Sequence, residues 1–160
     1  MPRAAIWFAL ALAVVVLDRL SKILILEAFR PGEALAVTGF FNLVLVFNKG
    51  AAFSFLATAP GWQTPLFAAI AVVASLVVGF LIYRNPRKTL FCFGLGLILG
   101  GALGNLWDRL QWGHVVDFLD FHAAGWHWPA FNVADSGITV GAVILIVESF
   151  LQKTPNETPA

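Results

Sequence analysis

From Leu66 to Tyr83 the chain runs for eighteen residues without a charge. Wound as a helix, that run is roughly 27 Å long, close to the thickness of a bilayer core. The whole chain follows suit: 59% of its 160 residues are hydrophobic and 12% are charged, where a soluble domain carries about 25% charge. The chain belongs to the membrane class before any motif is read. The net charge is +1, and the basic runs are too short for a nucleic-acid partner. Cys92, the single cysteine, lies inside an apolar run and reads as a small buried residue. It forms no intrachain disulfide, and one thiol makes no metal site.

Three further apolar runs complete the pattern. Thr89 to Trp107 is uncharged. Ala4 to Leu17 is apolar, is interrupted by Asp18, Arg19 and Lys22, and resumes to Leu26. Ser136 to Val147 is followed by Glu148. These predict an all-α integral membrane protein with four transmembrane helices. The start, Met-Pro-Arg before an apolar run, is like a signal peptide. More membrane segments follow it, so it is read as an uncleaved span. Between the first two spans, Phe40 to Phe47, Asn48-Lys49-Gly50 and Ala51 to Phe55 predict a small extracytoplasmic β element, turning at Asn48. Residues 1–151 form one membrane domain, and the polar tail 152–160 is expected to be a disordered cytoplasmic segment.

Orientation rests on Arg84-Asn85-Pro86-Arg87-Lys88, with three positive charges in five residues. The positive-inside rule makes this link cytoplasmic, and both termini with it. Seven of the nine acidic residues then face outward: Asp18, Glu27, Glu33, Asp108, Asp117, Asp120 and Asp135. Acids weigh little in topology, so this imbalance reads as chemistry on the outer face. Trp62, Trp107, Trp112, Trp126 and Trp128 fall on the same side, as an interfacial belt does.

Carboxylates beside hydrocarbon are costly, and a chain that keeps them generally uses them. Asp117 follows Val115-Val116 and precedes Phe118, an apolar setting that raises a carboxyl's affinity for its proton. Asp135 stands before the fourth span. There it is a candidate helix N-cap, and the helix dipole favours its charged form. Brought close, the two share a proton and supply one base and one acid. Asp120 is a competitor that His122 can simply pair with. Gly96, Gly100 and Gly104 form one helical stripe for close packing, continued by Asp108. Asn105, Asp108 and Arg109 are expected on one face, with Asp108 and Arg109 an interfacial ion pair and Asn105 either helix glue or a substrate ligand. Asp18 is expected to pair with Arg109 or Lys22. Asn48 is a turn residue with a substrate contact open to it. The histidines 114, 122 and 127 match no zinc spacing.

Five strings then combine: Asp-Arg-Leu-Ser-Lys (18–22), Asn-Lys-Gly-Ala-Ala-Phe-Ser (48–54), Gly-Gly-Ala-Leu-Gly-Asn-Leu-Trp-Asp-Arg (100–109), Gly-His-Val-Val-Asp-Phe (113–118) and Phe-Asn-Val-Ala-Asp-Ser (131–136). In these the chain resembles bacterial lipoprotein signal peptidases, also called signal peptidase II, over nearly its whole length. The resemblance implies a catalytic dyad of Asp117 and Asp135, supported by Asp18, Asn48, Asn105, Arg109 and Asn132, with Gly101 and Gly104 on the packed helix. It implies no cofactor or metal. The implied substrate is a diacylglyceryl-modified prolipoprotein, cut just before its lipidated cysteine by a monomer in the bacterial inner membrane, with globomycin as inhibitor. The outward hairpin, with Asn48 and Phe53, is expected to clamp the peptide. The first string departs from the family's usual Asp-Gln-x-Thr-Lys, and Arg19 puts the local partner of Asp18 in question. Two other classes stay in view. Intramembrane acids also serve as proton relays in transporters, although no inverted repeat is seen here. A structural scaffold uses the same acids only as caps and ion pairs.

Overall fold

The computed structural model describes residues 3–50 and 61–151. The expected strand from Ala51 to Phe55 (with its Phe53) and the tail from 152 lie outside them. Among the described residues, four long helices occur, α1 (Arg3–Ala28), α2 (Gln63–Arg84), α3 (Thr89–Trp112) and α4 (Val133–Leu151), with strands β1 (Ala34–Thr38), β2 (Phe41–Asn48), β3 (Val115–Ala123) and β4 (Trp126–His127). Among the described residues, α2, α3 and α4 are long and apolar enough to cross a membrane. α1 is longer still and runs unbroken through Asp18, Arg19 and Lys22.

α3 packs against all three other helices, and its glycines explain how. A Cβ at Gly100 would meet the Ala11 carbonyl oxygen at 2.6 Å, and one at Gly104 would meet Asp18 Oδ2 at 2.7 Å. Gly96, too, faces α1, at Trp7 and Leu10. Gly94 and Gly101 lie on a second face, where a Cβ would run into α4 at the Gly141 and Ala134 carbonyls. Small residues on two faces let both backbones approach where lipid supplies no hydrophobic drive for helix association. α2 is the contrast: only Gln63, Ala68 and Ile82 are buried, and its remaining apolar surface suits contact with lipid. At one end of the bundle Trp7 Nε1 donates to the Pro86 carbonyl (3.2 Å). At the other, α3 stops at Gly113, whose φ of 74° places it in the left-handed region and whose N–H caps the Arg109 carbonyl.

The sheet corrects the sequence reading. Its order is β1-β2-β3-β4 and its described pairs are antiparallel. A hairpin that was not expected joins β1 and β2 at Gly39-Phe40, while Asn48 ends β2 and the second arm expected after it falls outside the described residues. The β element is also not confined between the first two helices, because β3 and β4 come from the segment between α3 and α4. Val115 to Phe118 are all buried, so the start of β3 lacks the alternation that marks a half-exposed strand. Ile25 of α1, Leu45 of β2 and Val116 and Phe118 of β3 form the core that fixes the sheet on the helices.

Candidate active site

Strand register delivers the first carboxylate. Val46 is opposite Asp117 and Asn48 is opposite Val115, so Asn48 and Asp117 are diagonal neighbours on one face. Asn48 Nδ2 donates to Asp117 Oδ2 at 3.1 Å. Its Oδ1 accepts the Gly50 N–H at 2.8 Å, so Asn48 is at once the turn residue expected and a partner of Asp117. Burial pushes the Asp117 carboxyl up to about 7, with the Asp135 charge as the next cause.

A helix start delivers the second. Phe131 pairs with Leu119 through backbone bonds in both directions, which lays the approach to α4 along β3. Asn132 caps the helix: its Oδ1 accepts the Asp135 N–H (2.9 Å), and Asp135 Oδ2 accepts the Asn132 N–H (3.3 Å). This reciprocal pair is a capping box. Asp135 is therefore the acidic residue of the first turn and Asn132 is the cap, which corrects the N-cap expectation for Asp135. The Asn132 Nδ2 reaches Asp117 Oδ1 at 2.7 Å. One asparagine thus touches both carboxylates.

The supporting residues close around them. Asn105 Nδ2 donates to Asp135 Oδ1 at 2.7 Å, and Asn105 Oδ1 accepts from Asn132 Nδ2 and Lys22 Nζ, both at 3.2 Å. Arg109 donates to the carbonyls of Asn105 (3.3 Å) and Gly50 (3.1 Å), tying α3 to the turn that holds Asn48. Asp18 Oδ1 accepts the Ala134 N–H at 2.9 Å, satisfying another free donor at the start of α4. The seven expected residues thus form one cluster, Asp18 at its rim.

Several pairings differ from expectation. Asp108 and Arg109 do not pair. They are successive helical residues about 100° apart, and Asp108 faces α1, where it accepts from Arg19 Nη1 (3.0 Å) and Lys22 Nζ (2.7 Å). Asn105 and Asp108 share Lys22 as a partner, while Arg109 turns to the carbonyls of Asn105 and Gly50. Asp18 does pair with Lys22 (2.8 Å), one of the two partners expected for it. Arg19 instead lies over the Trp107 and Trp112 rings and reaches Gln111. Asp120 takes His127 Nδ1 (2.9 Å) and Asn42 Nδ2 (2.8 Å) as partners, and His122 stacks on His127. Lys22, expected only as a partner for Asp18, also reaches Asp108 and Asn105 across the α1–α3 interface.

Helices of membrane-spanning length, closed at one end over the buried Asp117 and the half-buried Asp135, define an integral membrane protein with an acidic site at one end of the bundle. The family model described as Signal peptidase (SPase) II matches residues 10–151. The lipoprotein signal peptidase of Cupriavidus necator is 59% identical over 143 residues, covering 89% of this chain and 82% of the relative. That of Ralstonia nicotianae is 58% identical over 142 residues, with the same coverage of both chains. A solved bacterial membrane enzyme at 2.3 Å resolution superposes with a TM-score of 0.81 at 26% identity, over 98% of this chain and 94% of that one. Another, at 1.9 Å, gives 0.79 at 27% identity, over 94% and 95%. The chain belongs to the signal peptidase II family and is a protease.

Proposed function

We propose that this protein is an intramembrane aspartic endopeptidase that removes the signal peptide from diacylglyceryl-modified prolipoproteins, cutting just before the lipidated cysteine. The observation that carries the reading is Asn132, which touches both Asp117 and Asp135, together with an Asp117 carboxyl raised to about 7. A pair of this kind holds one proton at neutral pH and offers a base beside an acid. Relatives at 58–59% identity carry the lipoprotein signal peptidase name, which supports the substrate class.

In the proposed reaction the ionised member takes a proton from a water between the two carboxylates. The resulting hydroxide attacks the scissile carbonyl, and the protonated member hydrogen-bonds the developing oxyanion. When the C–N bond breaks, a proton from the pair goes to the leaving nitrogen, which becomes the amino group of the lipidated cysteine. Asn105, Asn132 and Arg109 hold the carboxylates and the substrate backbone, Asn48 holds Asp117, and Asp18 holds the start of α4. The lipid tails lie in grooves between helices. α1 is the fourth span, both termini face the cytoplasm, and the site lies near the outer face of the bacterial inner membrane. The enzyme acts as a monomer, a reading supported by a site built from one chain, and globomycin blocks it.

The test is cleavage of a diacylglyceryl-modified prolipoprotein by purified enzyme in detergent, with a chelator present. Turnover by the wild type and none by Asp117→Asn or by Asp135→Asn is the expected result. Turnover persisting in either variant removes that carboxylate from the chemistry.

A further inference from the structure

Lys22 is fully buried on α1, and its ammonium has three hydrogens to place. Two go to carboxylates: Asp18 Oδ2 at 2.8 Å and Asp108 Oδ2 at 2.7 Å. With Arg19 on Asp108 Oδ1, two cations offset two anions, and the ion cluster is balanced without further partners. The third hydrogen goes elsewhere, to Asn105 Oδ1 at 3.2 Å. That amide oxygen also accepts from Asn132 Nδ2. Two donors on one oxygen leave the Asn105 amide a single orientation, with its NH2 on Asp135 Oδ1 at 2.7 Å. An ammonium on one end of an amide polarises it and strengthens the bond at the other end.

The two carboxylates are not served alike. Asp117 accepts from Asn48 and Asn132 side chains. The oxygen of Asn48 accepts a backbone N–H (from Gly50), as does that of Asn132 (from Asp135). Asp135 stands in the first turn of α4, where the helix dipole favours negative charge, and its Asn105 partner is backed by Lys22. We propose that Lys22 is a positioning residue that acts on Asp135 through Asn105, fixing Asp135 as the ionised member of the resting pair and Asp117 as the member that carries the proton. Asp135 is then the base that takes the first proton from water, and Asp117 donates to the oxyanion. The charged groups around Asp135 are Lys22 and Asp18 from α1, Asp108 and Arg109 from α3, and Asp117 from β3. Lys22 is the one joined to it through a single amide.

This inference rests on the aspartic peptidase reading, and its test separates the two. The measurement is the pH dependence of kcat/KM for a lipidated prolipoprotein, made on folded enzyme, for Lys22→Met, the charge-balanced Lys22→Met/Asp18→Asn, and Asn105→Ala. The last cuts the link and leaves the ion cluster in place. Without the link, a larger share of the enzyme lacks an ionised base at any acidic pH. The acidic limb is expected to move up by about one pH unit, a rate about tenfold lower on that side when each variant is referred to its own plateau. A structural role alone lowers the rate by the same factor at every pH, or lowers only the unfolding temperature. An unmoved acidic limb in the folded Lys22 variants overturns the inference, as does an unmoved limb in Asn105→Ala should the Lys22 variants not fold. If Asp117→Asn or Asp135→Asn keeps its turnover, the peptidase reading beneath it fails instead.

Discussion

Asp117 and Asp120 lie three residues apart on one strand, point to opposite faces, and are both shielded from solvent, at 2% and 6% exposure. Their chemistry diverges. Asp117 is enclosed by β2, α3 and the start of α4, and burial with the Asp135 charge raises its carboxyl to about 7. Burial works to raise Asp120 as well. The Asn42 amide and the His127 ring outweigh it and hold that carboxyl below the ordinary carboxylate value. The cover over Asp120 is thin, since His127 is itself half exposed. Depth and the sign of the nearest charge, rather than residue type, separate a carboxyl that stores a proton from one that ties a strand to its neighbour.

The largest effect expected from this contrast is on turnover. Asp117→Asn and Asp135→Asn should each lower kcat by about a thousandfold or more, in line with removal of an essential acid or base, while Asp120→Asn should stay within about threefold of wild type in the same assay. Reversal of that order would dissolve the comparison. Stability should respond next. Below about pH 4 the Asp117 carboxyl is protonated whether the chain is folded or not. Between pH 4 and 7 only the folded chain keeps the proton, so ionisation costs the native state up to about 4 kcal/mol by pH 8. Thermal unfolding in detergent should show wild type losing ground to Asp117→Asn as pH rises from 5 to 8; parallel curves would mean that Asp117 is not raised. Gly101→Ala would drive a Cβ into the Ala134 carbonyl and Ile138. A loss of about 1–3 kcal/mol is expected, with activity falling because α4 carries Asp135. Equal activity and melting temperature would show the α3–α4 contact to be loose. The smallest effect belongs to Asp120→Asn. The low carboxyl value means its contribution is present at neutral pH and fades as pH falls through that value, so the variant should lose no more than about 1 kcal/mol at pH 7 and progressively less in acid.

Membrane character was legible from charge-free runs, because a bilayer demands about twenty apolar residues per helix and few other environments do. The Gly96-Gly100-Gly104 stripe and its continuation to Asp108 were legible for a similar reason: helical geometry fixes which residues share a face. Asp117 and Asp135 stood out by their apolar flanks and helix-start position. Partner choice was not legible. Adjacent Asp108 and Arg109 look like a pair in sequence and are turned to different neighbours by the helix. Strand β3 was hidden by its double-sided burial, and with it the register that sets Asn48 beside Asp117. Asn132 as the cap, in place of Asp135, needed knowledge that α4 begins at Val133 rather than at Ser136. Element ends are the weakest part of any sequence reading.

The capping box at the start of α4 has a consequence for how the molecule is made. Chains are synthesised from the amino end, and early segments begin to fold first. When α1, α3 and β3 have emerged, Lys22, Asn105 and Asp117 are present, but neither Asn132 nor Asp135 is. The residues that start the final helix are the same ones that complete the carboxylate pair. If the pair is the proposed dyad, a ribosome-bound or truncated chain holds half of it and is expected to cut nothing until the last segment docks, so that biogenesis itself would act as the safety catch.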